Sequence, residues 1–270
     1  MEYIKNNQKG FTLIEMSVVL VIVGLVVGGL VIGRDMILNA NARAVISQIQ
    51  SYNTAYNIFK NKYGNSPGDL GANRATSFGF SVGTGNPSFL GNGRLDDGAV
   101  QTIGNAGIDG ELADFWVHLS EANLINGVYV DGGASPVSGI NYPATKMKKG
   151  GIIAVSTNSV NYWLIGIGNG TTNTSFDTAL GTGITPTESF NVDNKIDDGK
   201  VNTGVMFEIT AFDSIDGASG NNLIGVSTAV SAPATNATCW NSTPPSQNVA
   251  VEYQLKNELT NCHPIVRING

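Results

Sequence analysis

The chain has 270 residues, 41% of them hydrophobic and only 13% charged, with a formal net charge of −6. That length suits one large domain or two small ones, and the acidic balance argues against a nucleic-acid partner, which selects basic faces. Its 34 glycines, among many Asn, Ser and Thr, point to a loop-rich β structure with a polar, uncharged surface.

The first element is the run from Phe11 to Gly33, apolar or small except for Thr12, Ser17 and one carboxylate, Glu15. As a helix it would be about 35 Å long, enough to cross a bilayer core. Lys5 and Lys9 precede it, so the positive-inside rule leaves the N-terminus in the cytoplasm and exports the remainder of the chain. Three readings compete. A cleaved secretory signal would use Ala40-Asn41-Ala42, but the apolar run is too long for an ordinary signal, and Arg34 and Asp35 intervene. A plain membrane anchor explains the length but not Glu15, because a carboxylate in a spanning helix is costly. In the third reading a leader ending at Gly10 is removed. Phe11 then carries a free cationic amine, and Glu15 sits one helical turn further on. In a helical stack the amine of one subunit meets Glu15 of its neighbour, and each buried charge gains a partner whose absence would cost on the order of several kcal/mol.

The stretch "KGFTLIE", Lys9 to Glu15, resembles the type IV prepilin (class III) signal: a short basic leader, Gly before the cut, Phe after it, and Glu as the fifth mature residue. The resemblance implies cleavage between Gly10 and Phe11 by a membrane prepilin peptidase, N-methylation of Phe11, and Glu15 as the assembly residue. It also implies other pilin or pseudopilin subunits and an inner-membrane assembly platform as partners. Many pilins carry a Pro late in the apolar segment, and this chain has none there. Gly24, Gly28 and Gly29 loosen the helix instead.

Periodicity continues past Gly33. Leu38, Ala42, Val45, Ile49, Tyr52, Tyr56, Phe59 and Tyr63 recur at spacings of four and three, one apolar stripe on a helix. Asn41, Arg43, Ser47, Gln48, Gln50, Asn53 and Asn57 fill many of the other positions, and Gly64, Pro67 and Gly68 end the helix. A helix exposed in its first half and packed on a globular part in its second gives the lollipop outline that pilins resemble.

A Gly/Asn-rich region extends to about Gly110, and then "GELADFWVHLSEANLING" reads as a second helix. Leu112, Phe115, Trp116, Leu119 and Ala122 or Asn123 share its face, and Asn126-Gly127 closes it. His118 on this helix is read as a satisfied core or surface His rather than a ligand. "GIIAVST" and "VNYWLIGI" flank Asn158-Ser159 as a hairpin. "TGVMFEITAF" alternates Val205, Phe207, Ile209 and Ala211 against Met206, Glu208, Thr210 and Phe212, and "NVAVEYQL" and "PIVRI" are shorter strand candidates. A helical stalk followed by an antiparallel sheet gives an α+β architecture.

"RLDDGA" (94–99) and "KIDDGK" (195–200) look alike, and Asp-Gly recurs at Asp109, Asp131 and Asp216. Plain turns explain these. Clustered carboxylates also suit calcium, although the EF-hand pattern fails here. The candidates for such an ion are Asp193, Asp197 and Asp198. "GIGNG" (166–170) lacks the Lys-Ser/Thr ending of a phosphate loop. In an exported domain, Cys239 and Cys262 most often make one disulfide, which also resembles the C-terminal disulfide region of many pilins. Zinc, with His263 beside Cys262, is the alternative. With only two His in the chain, most catalytic constellations are out of reach, and no G-x-S-x-G elbow appears.

The expected organisation is a leader over 1–10, a transmembrane and assembly helix over 11–33, an amphipathic continuation over 34–63 and an exported α+β domain over 64–270. The expected function is a non-enzymatic structural subunit, minor or specialised, of a type IV pilus-like filament or a type II secretion pseudopilus, with no cofactor other than the calcium considered above. Its expected location is the bacterial inner membrane, with the C-terminal domain periplasmic, and then the filament. The alternatives are an inner-membrane-anchored periplasmic binding or enzymatic domain that keeps its N-terminus, and a secreted protein cleaved after Ala42.

Overall fold

A computed structural model describes residues 10–82, 91–95, 110–130, 137–157, 160–167, 183–208, 239, 252–256, 258 and 262–268. Several sequence expectations lie outside these residues: most of the leader, Asp109, Asp131 and Asp216, the 96–99 half of "RLDDGA", Gly168 to Gly170, and the strand candidate beyond Glu208. The chain divides into two compact units, Met1–Ala40 and Asn41–Gly270.

The first unit holds the start of α1, Leu13–Tyr63. This part of the helix is long and apolar enough to cross a membrane, and none of its most apolar stretch is buried within the protein. Leu13, Leu20, Leu25 and Leu30 all point into the open.

In the second unit the same helix becomes a core element. Ala42, Val45, Ile49, Tyr52, Tyr56 and Phe59 are buried, the stripe that the four-three spacing predicts. Leu38 and Tyr63 at its two ends are only half covered. Gln48 breaks the pattern. Its position lies off the apolar stripe, yet it is buried and spends its amide on backbone. Its Nε2 donates to the Ala144 carbonyl at 2.8 Å, and its Oε1 accepts the Lys146 N–H at 3.0 Å. A buried amide is tolerated when its hydrogen bonds are made, and here it clamps the 144–146 loop to α1.

Gly64 (φ +81°) takes the left-handed conformation just past the end of α1. A short helix that the sequence pattern does not announce comes next: α2, Ala72–Phe78, closed by Gly79 (φ 81°), whose N–H reaches the Thr76 carbonyl while Phe80 N–H reaches Ala75. The second long helix, α3, is Gly110–Glu121. It ends earlier than Asn126-Gly127, because Asn123 takes a positive φ and the N–H groups of Asn123 and Leu124 turn back to Ser120 and Leu119, a C-terminal cap usually made by Gly. The expected single apolar face is also too narrow. Every residue from Gly110 to Leu119 is buried, including Glu111, Asp114 and His118.

His118 is satisfied on both ring nitrogens. Nδ1 accepts the Gly68 N–H at 3.0 Å, and Nε2 donates to the Ser81 carbonyl at 2.9 Å. That fixes the neutral tautomer, and burial lowers its pKa. Gly68 has φ +84°, and a Cβ there would run into the Glu111 carbonyl, so the turn requires glycine.

The hairpin forms as expected: β1, Gly151–Thr157, pairs antiparallel with β2, Val160–Ile167, with Thr157 opposite Val160. The helix α4, Pro186–Ile196, is not among the elements expected from sequence. Thr185 and Glu188 make a reciprocal capping box and Pro186 occupies the first turn. Strand β3, Met206–Glu208, and strand β4, Pro264–Arg267, complete an antiparallel sheet of order β1-β2-β4-β3. On β3 it is Met206 and Glu208 that face inward, while Val205 is exposed and Phe207 half-buried. Of the strand candidate "NVAVEYQL", residues 248–251 lie outside the described residues, and in the remainder Tyr253 makes a single β-bridge and is buried in the core. Around Trp163 of β2, the rings of Tyr52, Phe115 and Trp116 pack with centroids 5.5 to 5.9 Å away, and the Trp163 indole N–H donates to Asn53 Oδ1 at 2.8 Å. A long apolar helix and a four-stranded antiparallel sheet make an α+β layout, consistent with a pilin-like fold.

Candidate functional site

Three sets of residues carry the functional expectations: Gly10, Phe11 and Glu15 at the head of α1, the cysteine pair, and the aspartates around the end of α4.

At the head of α1, Phe11 is 78% exposed. Thr12 caps the helix. Glu15 N–H reaches Thr12 Oγ1 at 3.3 Å, while Thr12 N–H and Thr12 Oγ1 both donate to Glu15 Oε2 at 2.8 Å. This is a capping box, Thr-x-x-Glu. From sequence, only assembly gives Glu15 a reason to be there. The fold adds a local one, because the carboxylate satisfies donors at its own helix start and sits at the positive end of the helix dipole. Both of those bonds fall on Oε2.

Cys239 and Cys262 are joined in a disulfide, with Cα atoms 5.2 Å apart. Cys262 also exchanges both backbone hydrogen bonds with Ile184 at 3.0 Å, and the Cys239 carbonyl accepts from Gln254 N–H at 2.9 Å. The bond consumes both sulfurs, so zinc has no thiolates to use there. His263 beside it is buried, and burial drives its pKa down to about 4.

The three aspartates come together. One carboxylate oxygen from each of Asp193, Asp197 and Asp198 lies within 4.8 Å of the other two. Asp193 is on the last turns of α4, and the "DDG" turn brings the other two back over it. Asp197 accepts the backbone N–H groups of Val205 and Met206, fixing the start of β3. Asp198 Oδ1 accepts Lys200 N–H at 3.0 Å, and its Oδ2 accepts the Thr203 hydroxyl. Gly204 has φ +90°, and a Cβ there would overlap the Asp197 carboxylate. The plain-turn reading of "KIDDGK" therefore holds for the loop itself.

Beneath the cluster lies a polar network that sequence reasoning missed. The Tyr253 hydroxyl is 2.9 Å from Asp193 Oδ2 and 3.2 Å from Glu208 Oε1, and Ser189 Oγ donates to the same Glu208 oxygen. Both carboxylates are buried. Burial pushes Glu208 up to about 8, against the partial relief of Ser189 and Tyr253. Burial also raises Asp193, to about 7, with the charges of Asp198 and Asp197 adding to the shift and the Tyr253 hydroxyl and Gly199 N–H opposing it. Asp193 Oδ1 and Glu208 Oε2 accept no hydrogen bond of normal geometry. The one signal in the sequence is "TPTES": its capping box predicts α4 and places Ser189 and Asp193 four apart, on one face. Nothing in an alternating strand tells that the carboxylate of Glu208 points inward.

Residues 5–31 match the family model described as the prokaryotic N-terminal methylation motif. The chain therefore carries the signature of type IV pilin and pseudopilin prepilin-type signals, and the matched stretch contains Gly10, Phe11 and Glu15. Comparison with curated proteins and with solved structures gives no match.

Proposed function

We propose that this protein is a structural subunit, minor or specialised, of a type IV pilus-like filament or a type II secretion pseudopilus. The observation that carries the proposal is the methylation motif at residues 5–31, set on a helix whose first half is apolar and exposed. Prepilin peptidase removes residues 1–10 by cutting between Gly10 and Phe11, and the new amine of Phe11 is methylated. Residues 11–33 hold the subunit in the inner membrane until assembly, with residues 34–63 continuing the helix and 64–270 exported as the globular part. Other pilin or pseudopilin subunits and the membrane assembly platform are its partners, and its work is structural rather than enzymatic.

Glu15 is the assembly residue in this reading. Its Oε2 stays on Thr12, whose amide and hydroxyl both survive the cut, and its Oε1 receives the Phe11 amine of the adjacent subunit. Pairing then adds a bond without dismantling the cap, and in a low-dielectric filament core an unpaired member of that ion pair is heavily penalised.

The test is Glu15→Val. Processing should be unchanged, the globular unit should unfold at the wild-type temperature, and the variant should be missing from the filament fraction. A variant that loads into filaments as the wild type does would remove the pairing mechanism. A chain that keeps its leader and never leaves the envelope would instead be a membrane-anchored periplasmic domain.

A further inference from the structure

We propose that the Cys239–Cys262 bond is a reducible switch with its own proton donor, the carboxyl group of Glu208, which protonates the cysteine sulfur displaced when a dithiol attacks. Strand pairing brings the three residues together. Glu208 ends β3 opposite Pro264 of β4, and Pro264 is two residues past Cys262. A carboxylate oxygen of Glu208 and both sulfurs lie within 4.8 Å of one another, and all three residues are buried. Ser189 Oγ and the Tyr253 hydroxyl both donate to Oε1, while Oε2 accepts no hydrogen bond of normal geometry. The terminal torsion of a glutamate is broad and two-fold, so either oxygen can be turned to the sulfurs.

Reduction proceeds by thiol–disulfide exchange. One thiolate of the dithiol attacks a cysteine sulfur, forms a mixed disulfide and breaks the Cys239–Cys262 bond. The displaced cysteine leaves as a thiolate and takes the Glu208 proton. The second thiolate of the dithiol then displaces the other cysteine, and water returns protons to that cysteine and to Glu208. The chain gains two electrons and two protons, and the dithiol becomes a disulfide. A bare thiolate in a dry site is costly, and an acid beside it lowers that cost. Burial pushes Glu208 up to about 8, near the ordinary thiol value of about 8.5, so the proton is present at neutral pH and moves with little loss. The groups around it are worse donors. From α4, Ser189 touches Glu208, and Asp193 lies across the Tyr253 hydroxyl. Burial raises Tyr253 above the ordinary tyrosine value. His263, beside Cys262, offers Glu208 its backbone N–H, and burial drives its ring down to about 4, which leaves it neutral.

The experiment reduces the full chain, purified in detergent, with dithiothreitol across a pH series. Free thiols are trapped with iodoacetamide and counted by mass. Each rate is divided by that of glutathione disulfide under the same conditions, which cancels the ionisation of the reductant. The relative rate of the wild type should fall as the pH rises through about 8, where Glu208 loses its proton. A purely structural Glu208 has the opposite sign: a raised folded-state pKa means stability lost as the pH rises, which exposes the bond and speeds its reduction. At pH 6, Glu208→Gln should be reduced more slowly than the wild type by on the order of 10²-fold, and the difference should close at high pH. Glu252→Gln, an exposed acid outside the cluster, should follow the wild type throughout. A wild-type relative rate that is flat or rises with pH overturns the proposal, as does Glu208→Gln reduced at the wild-type rate at pH 6. The wild-type profile needs no variant, so it decides even if Glu208→Gln fails to fold.

Discussion

The two halves of α1 have the same backbone and opposite surroundings. From Leu13 to Ile37 nearly every apolar side chain is exposed, whereas from Ala42 to Phe59 one face is sealed against α3 and the sheet. The second half is stabilised by groups the protein itself supplies: aromatic packing around Trp116 and Trp163, and the clamp made by Gln48. Among the described residues the most apolar stretch of the first half is unburied, a surface of the kind that lipid or other subunits cover. Even its one glutamate fits this division. Glu15 bonds its own helix start through Oε2, while Glu208 and Asp193 of the second unit meet Tyr253 inside the fold.

The comparison breaks most easily at Trp116. Trp116→Ala should cost about 3–5 kcal/mol in denaturant unfolding of the full chain. Ile22→Ala in the exposed half should stay within about 0.5 kcal/mol. Equal losses at the two positions would mean that the halves are not energetically distinct.

Next in size is the disulfide. Replacing both Cys239 and Cys262 with Ser removes the closure of a 23-residue separation and should cost roughly 3 kcal/mol. The loss should be absent when the wild type is unfolded under reducing conditions, which makes the pair its own control.

A pH-dependent effect of intermediate size belongs to Glu208. Its folded-state pKa is raised, to about 8, above the ordinary carboxylate value. Its contribution is therefore fully present below about pH 4.5 and is lost as the pH rises through the folded value. Glu208→Gln keeps an acceptor for Ser189 and Tyr253 but cannot ionise. The stability gap between Glu208→Gln and wild type should move in favour of the variant from pH 5 to pH 8. A gap that is flat with pH would show that Glu208 is not held protonated by its burial.

A small effect is expected at Gln48, where Gln48→Ala removes its bonds to the Lys146 N–H and the Ala144 carbonyl, both on exposed residues, and should cost about 0.5–1.5 kcal/mol. A cost near zero would place the 144–146 loop outside the cooperative core, a point amide exchange at Lys146 would check directly.

The parts of this molecule that can be read in advance are those where one local rule dominates. The membrane-length run, the four-three stripe and the hairpin around Asn158-Ser159 each follow from periodicity alone, and the structure has α1, β1 and β2 where that periodicity puts them. The prepilin-type signal is legible because its residues are contiguous. Helix α2 is hidden by a Gly/Asn-rich context, and its stop is set by Gly79 rather than by an apolar pattern. Helix α4 carries a readable capping box at Thr185 and Glu188, but "DDG" draws attention to turns and ions. The Asp193–Tyr253–Glu208 network joins residues up to 60 apart, and no spacing encodes such a meeting. The approach of Asp197 and Asp198 to Asp193 is legible because all three lie within one turn and its loop.

The most direct measurement is the mass of the N-terminal peptide in filaments sheared from cells, set against the peptide from the remaining envelopes. A peptide that begins at N-methylated Phe11, found in the sheared fraction, is the result expected for a pilus subunit, and the same peptide confined to envelopes is that expected for a pseudopilus. A peptide beginning at Met1, or one beginning at Arg43, would contradict both, because Glu15 would then have no amine to meet.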